Sequence, residues 1–250
     1  MQSCSHAVMQ TCKLAIPSIP HLYIPPNFFP VKNLDSFLMS VYYIDMGKET
    51  TARKIVNFIS NNGGYARMKE LKEASFRTAE IKILVAERIL DKIKPGLYRV
   101  SDLEYPPNIS LGFVDISKAI PRGVICLISA LSHYELTTFN PSEIYVAIPN
   151  ETYAPNIIYP PAAVFYFRDR FYKPGIEIVD TIYGKVRIYN REKTICDMFR
   201  YRDKLGEDLA IEGLKNYINY RHADLYQLRQ YADICRVKTI MLPYLKALVG

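Results

Sequence analysis

Apolar residues recur along this chain with two periods, and each change of period marks an element. From residue 50 the period is helical. Ala52, Ile55, Val56 and Ile59 fall at i, i+3, i+4 and i+7, one face of a helix that Thr50 or Thr51 can cap. Asn61-Asn62-Gly63-Gly64 stops that helix, because glycine tolerates the left-handed conformation common at helix ends. Tyr65-Ala66 reads as extended. Residues 68–74 read as a second helix with Met68, Leu71 and Ala74 inward, and Ser75-Phe76 as a turn. Thr78 caps a third helix over 78–88, with Ile81, Leu84 and Val85 inward and Arg77, Glu80, Lys82 and Glu87 outward. Two short strands follow, 89–93 and 97–100, and Lys94-Pro95-Gly96 supplies the turn chemistry between them. Three helices and a basic ribbon in this order predict a winged helix-turn-helix DNA-binding domain over residues 46–102.

Residues 101–110 (SDLEYPPNIS) are a polar, proline-containing connector and the expected domain boundary. Beyond them the pattern predicts a short helix over 111–119, broken at Pro121-Arg122-Gly123, and a largely buried helix over 124–136. Strands follow at 143–148 and 164–168, then a hairpin of 176–182 and 186–189 around Tyr183-Gly184-Lys185. Helical periods then cover 191–202, 208–219, 225–236 and about 237–248. The fold class is α+β: an N-terminal winged helix-turn-helix, then an α+β domain over 103–250 with a small sheet and a helical C-terminal part.

Residues 1–45 have no helical period and carry five prolines between Pro17 and Pro30, which preclude a continuous helix there. Their apolar run stops short of the ~20 residues a membrane span needs, and no charged segment precedes it as in a secretory signal. Two readings stay open: a disordered or loosely docked tail, or an extension upstream of a protein whose natural start is Met46.

Composition is ordinary for a globular chain, but the charge is unevenly placed. The net charge is +7, and residues 47–102 alone hold 12 Lys/Arg against 7 Asp/Glu. About a fifth of the chain therefore carries most of the excess positive charge, the footprint of a nucleic-acid-binding module. On the predicted elements, Arg77, Thr78 and Lys82 are candidates for base edges. Arg67, Lys69 and Lys72 on the second helix, and Lys92, Lys94 and Arg99 on the ribbon, are candidates for phosphate or the adjacent minor groove. The five cysteines, Cys4, Cys12, Cys126, Cys196 and Cys235, make no CxxC pair and no Cys/His ligand spacing. They support neither a zinc site nor a disulfide scaffold, and a reducing cytoplasm fits best. No metal or cofactor is expected.

The stretch 62–100 resembles the N-terminal domain of the AbiEi-type antitoxin family, transcriptional regulators of bacterial viral-defence systems. The resemblance rests on Gly63, Gly64, Tyr65, Leu71, Ile81, Leu84, Gly96, Tyr98 and Arg99. It continues through GVICLISALSHYEL, EIYVAIP and VRIYNREKTICDMFRYRDKLGEDLAIEGLKNYI, the last carrying the family's R-E/D-K/R-T-x-x-D signature. What the resemblance implies is an antitoxin of a type IV toxin–antitoxin system. Its winged helix would repress its own promoter at an inverted repeat. A co-encoded nucleotidyltransferase-type toxin would be a functional rather than a stable partner, addressed through the charged faces of 191–202 and 203–208. The alternatives are a standalone regulator whose second domain senses a ligand or protein, and a DNA-targeted divergent nuclease.

The nuclease reading finds little chemistry. His6, His21, His133 and His222 have no partner motif nearby. Asp197, Arg200 and Asp203, at i, i+3 and i+6, read as an ion-pair ladder on one helix rather than a catalytic carboxylate pair. Glu177, Asp180 and Lys185 lie on one hairpin but not in the order of a metal-dependent nuclease, and no glycine loop of phosphate-cradling type is present. The expectation is a protein without catalytic activity.

Overall fold

In the computed structural model, which describes residues 50–249 other than 105, 107 and 108, the first helix begins where the sequence supplies a cap. Thr50 Oγ1 accepts the Arg53 amide at 3.4 Å and opens α1 (Thr51–Asn61). The readings of residues 1–45 lie outside the described residues. Ile55 and Ile59 of α1 bury completely. Gly64 follows at φ +79°, and a Cβ there would stand 2.8 Å from Leu103, so this position needs glycine twice over. Then come β1 (Tyr65–Arg67), α2 (Met68–Glu73), α3 (Thr78–Ala86), β2 (Leu90–Lys94) and β3 (Leu97–Val100). The strands form an antiparallel sheet in the order β1-β3-β2. Its core joins Leu71, Ile81, Leu84, Leu90, Tyr98 and Val100 to the two α1 isoleucines.

The second sheet has five strands in the order β6-β5-β4-β8-β7. In chain order its elements are α4 (Leu111–Ala119), β4 (Val124–Ile125), α5 (Leu127–His133), β5 (Ile144–Pro149), β6 (Ala162–Phe167), α6 (Asp169–Tyr172), β7 (Ile176–Thr181) and β8 (Gly184–Tyr189). Five helices follow: α7 (Arg191–Arg200), α8 (Arg202–Leu205), α9 (Glu207–Ile218), α10 (Leu225–Cys235) and α11 (Lys238–Val249). The β4–β8 and β5–β6 pairs are parallel; the β4–β5 and β7–β8 pairs are antiparallel. Alternation along each strand serves two cores. Val146, Ile148, Val186 and Ile188 face α4, whereas Ala147, Phe165, Phe167 and Tyr189 face the helices of the C-terminal half. The fold is thus mixed α+β, with eleven helices and two sheets among the described residues.

Two expectations are corrected. Residues 124–136 are not one helix. Val124–Ile125 forms the central strand, and Cys126 passes its amide to the Tyr145 carbonyl before α5 begins. A short run that is apolar on every side carries no period to separate strand from helix, and only its neighbours decide. The helix at 191–202 is also not a half-exposed charged surface. Every residue from Glu192 to Phe199 is buried, because the sheet, α5, α9 and α10 enclose it. The two sheets meet at α4. Its Phe113, Val114 and Ile116 pack with Val186 and Ile188 of the large sheet and with Tyr65, Ile93 and Leu97 of the small one. No helix among the described residues is long and apolar enough to cross a membrane.

Candidate nucleic-acid interface

The ribbon was expected to project as a basic wing, and its sequence argues for that: Lys92, Lys94 and Arg99 alternate with apolar residues. The fold turns two of the three inward. Arg99 is 6% exposed. Its Nη1 donates to Asp115 Oδ2 at 2.7 Å, and its Nη2 pairs closely with Asp91. The Tyr65 hydroxyl donates to the other oxygen of Asp115 at 2.7 Å. Arg99 therefore cannot reach a phosphate: it lies between β2 and α4, compensated by two carboxylates. Burial pulls its pKa down, but the hydrogen bond to Asp91 and the charges of Asp115 and Asp91 outweigh that and leave it raised. For Asp115 burial wins: its carboxyl is pushed up to about 6, against the pull of Arg99 and the Tyr65 hydroxyl.

Lys94 is corrected for a similar reason. Its Nζ donates to the Ala119 carbonyl at 2.6 Å, so the ammonium sits on the C-terminal end of α4, where helix carbonyls lack intrahelical partners. Burial and the nearby Arg67 lower its pKa. The ribbon tip is held as well. Met68 donates its amide to the Gly96 carbonyl, and Ile158 and Tyr159 both donate to that of Ile93. Lys92 is half-buried. The ribbon is thus an internal joint rather than a free wing, because both its faces have apolar neighbours to cover.

The other candidates stay at the surface. Arg67, Lys69 and Lys72 are exposed at the start and along α2, with Lys69 in a loose i, i+4 pair to Glu73 at 3.9 Å. Arg77 is exposed at the mouth of α3 and Lys82 is exposed one turn on. Arg77 rather than Thr78 occupies the N-cap position of α3; Thr78 is the first helical residue and is half-buried. The capping oxygen comes from Glu80, whose Oε2 accepts the Arg77 amide at 2.9 Å. That hydrogen bond draws Glu80 back to the helix N-terminus, where a negative charge is favoured. Glu70 does the same at α2, accepting the Arg67 amide at 2.7 Å. Both acids are thereby held at helix N-termini.

In the C-terminal half the ladder of Asp197, Arg200 and Asp203 does not form. Asp197 pairs instead with Lys193, one turn back, and both side chains are completely buried. Burial pushes the Asp197 carboxyl up, against the opposing charge of Lys193. The Arg200 guanidinium lies 3.5 Å from the centre of the Phe171 ring, and Asp203 meets Arg202 at 3.7 Å. Lys193 was not legible as a core residue in the sequence: its i, i+4 spacing to Asp197 is visible, but on a helix with five charged residues in ten that spacing reads as a surface pair. Glu177 accepts the Tyr134 hydroxyl at 3.1 Å, and Lys185 lies 3.9 Å from Asp180 on an exposed hairpin. His133 is stacked edge-on with Tyr134 at 5.0 Å, and burial lowers its pKa. Cys126, Cys196 and Cys235 are buried free thiols, and burial raises the pKa of each. Among the described residues no group of three or more His, Cys, Asp and Glu could hold a metal ion.

A scan of the sequence against known protein families finds no match, and no curated protein matches it.

Proposed function

We propose that residues 50–100 are a winged helix-turn-helix that binds duplex DNA, and that the chain is a transcriptional autorepressor. The observation that carries this reading is the outward side of α3. It leaves Arg77 and Lys82 in solvent, while the nearby Glu80 is tied to the backbone at the helix N-terminus. A helix of this kind enters a major groove with its N-terminal residues against base edges. Arg67, Lys69 and Lys72 supply phosphate contacts and hence most of the affinity. Arg99 and Lys94 serve the fold instead and hold the reading module on α4.

The antitoxin role rests on the quoted motifs from residue 62 onward. The chain acts against a co-encoded nucleotidyltransferase-type toxin without forming a stable complex with it. Of the two charged stretches named for that role, 191–202 lies mostly in the core as α7, and 203–208 is the one that stays at the surface.

Fluorescence anisotropy with a labelled duplex of the gene's own upstream promoter tests the DNA reading. Arg77→Ala and Lys82→Ala each weaken binding by ~1–3 kcal/mol where the side chain reads a base. Log affinity falls linearly with log salt, and the double variant flattens the slope. A double variant that binds like the wild type would sink this reading.

A further inference from the structure

The outward face of α3 is not the polar face that its sequence suggests. Glu80 is half-buried at the N-terminus, and the exposed positions are Ala79, Lys82, Ile83, Ala86 and Glu87. Ala79, Ile83 and Ala86 stand at i, i+4 and i+7, one stripe along the helix. Ile83 is 56% exposed and is the only large hydrophobic residue left exposed among residues 50–100, where the other large apolar side chains are buried or half-buried around the core. A single exposed isoleucine on a protein surface is unremarkable. A small apolar stripe along the outward face of α3, with Arg77 before it, Lys82 beside it and Glu87 at its C-terminal end, calls for an occupant that is apolar at its centre and anionic on the side of Arg77 and Lys82.

The major groove of DNA has that composition where thymines lie. Thymine alone presents a methyl group there, apolar side chains contact it, and phosphates border the groove on both sides. We propose that α3 reads thymine methyl groups through Ile83 and Ala79, so that the operator of this chain carries thymines opposite those two residues. Arg77 and Lys82 then fix the register on phosphates or guanines at the ends of the same contact. This inference rests on the DNA reading proposed above and adds the base chemistry that gives it specificity.

The test uses the full chain and a pool of random-sequence duplexes, carried through rounds of selection. The enriched duplex is then synthesised twice, once with thymine and once with deoxyuridine, which differs only in lacking the methyl group. Thymine-containing motifs are enriched, and each thymine facing α3 that is replaced by deoxyuridine weakens binding roughly three- to five-fold, the scale of one buried methyl group. Ile83→Ala still binds the selected duplex but loses most of that preference, and Ile83→Gln does the same while keeping side-chain length. Ile83 is exposed, so neither change disturbs the core; a thermal melt matching the wild type checks this. Equal affinity for the two duplexes overturns the methyl reading and leaves DNA binding standing, as does a preference that survives in both Ile83 variants. Failure to enrich any duplex overturns DNA binding itself, and α3 is then left as a protein-docking face.

Discussion

Arg99 shows how far a residue's role depends on what the chain brings beside it. On the sequence it is a basic residue of a ribbon; in the fold it is the centre of a buried network with Asp91, Asp115 and the Tyr65 hydroxyl. Asp115 sets a pH dependence. Its carboxyl stands at about 6 in the native state against 3.8 for a free side chain, so the folded protein holds that proton more tightly than the unfolded chain does. The stabilisation from this group is therefore complete below about pH 4 and is lost as pH rises through about 6. A shift of this size corresponds to roughly 3 kcal/mol. Urea unfolding at intervals from pH 4 to 8 measures it: the wild type loses stability across this range, and Asp115→Asn, which cannot titrate, has a flatter profile. Part of the slope persists in the variant, because burial raises the Asp197 carboxyl as well.

At the scale of the element, α7 is the most instructive. Asn190 caps it by accepting the Lys193 amide at 2.9 Å, a start signal the sequence shows openly. Its burial is another matter. REKTICDMFR carries five charged residues in ten, and a lone helix with that composition belongs at a surface. Here the charges are met inside. Lys193 pairs with Asp197, Glu192 accepts the Tyr217 hydroxyl at 2.6 Å, and the terminal arginines lie over aromatic rings. Removing one partner of a fully buried pair strands the other charge, so Lys193→Met costs ~3–5 kcal/mol of unfolding free energy. Changing both, as Lys193→Met with Asp197→Leu, restores much of the loss, since two apolar side chains remove the desolvation penalty together. Chemical denaturation of the three variants against the wild type is the check; a double variant as unstable as the single one would show that the pair does more than neutralise itself.

At the scale of the molecule, α4 is common to both sheets. It packs on β8 from one side and receives Arg99, Tyr65 and Lys94 from the other. The small sheet and its helices are thus fixed to the rest by a buried charge network and a continuous apolar core, so the expected outcome is that the two unfold together. The chain contains no tryptophan, so single reporters are clean. Trp introduced at Phe58, in the small core, and separately at Tyr244, in the C-terminal helices, gives coincident urea transitions. Two separated midpoints would show that α4 does not couple the halves. Coupling of this kind constrains function as well: a perturbation of the large sheet has a packed route, through α4, to the helices proposed to touch DNA.

What the sequence by itself determined is local. Periods of 3.6 and 2, the Thr50 cap, the Gly63-Gly64 break and the Pro95-Gly96 turn placed most elements within a few residues of their observed bounds, because those signals act between near neighbours. The concentration of Lys and Arg in residues 47–102 was legible for the same reason: charge adds up along the chain regardless of fold. Only the tertiary structure decided which of those charges face water. Arg99 and Lys94 turn inward, Lys193 and Asp197 vanish into the core, and Val124–Ile125 becomes a central strand. In each case the deciding partner is distant in sequence or belongs to another element: Asp115, the Ala119 carbonyl, the helices around α7, or the strands on either side of β4. Local period cannot carry that information, since burial of a charge depends on what packs over it and not on which residues flank it.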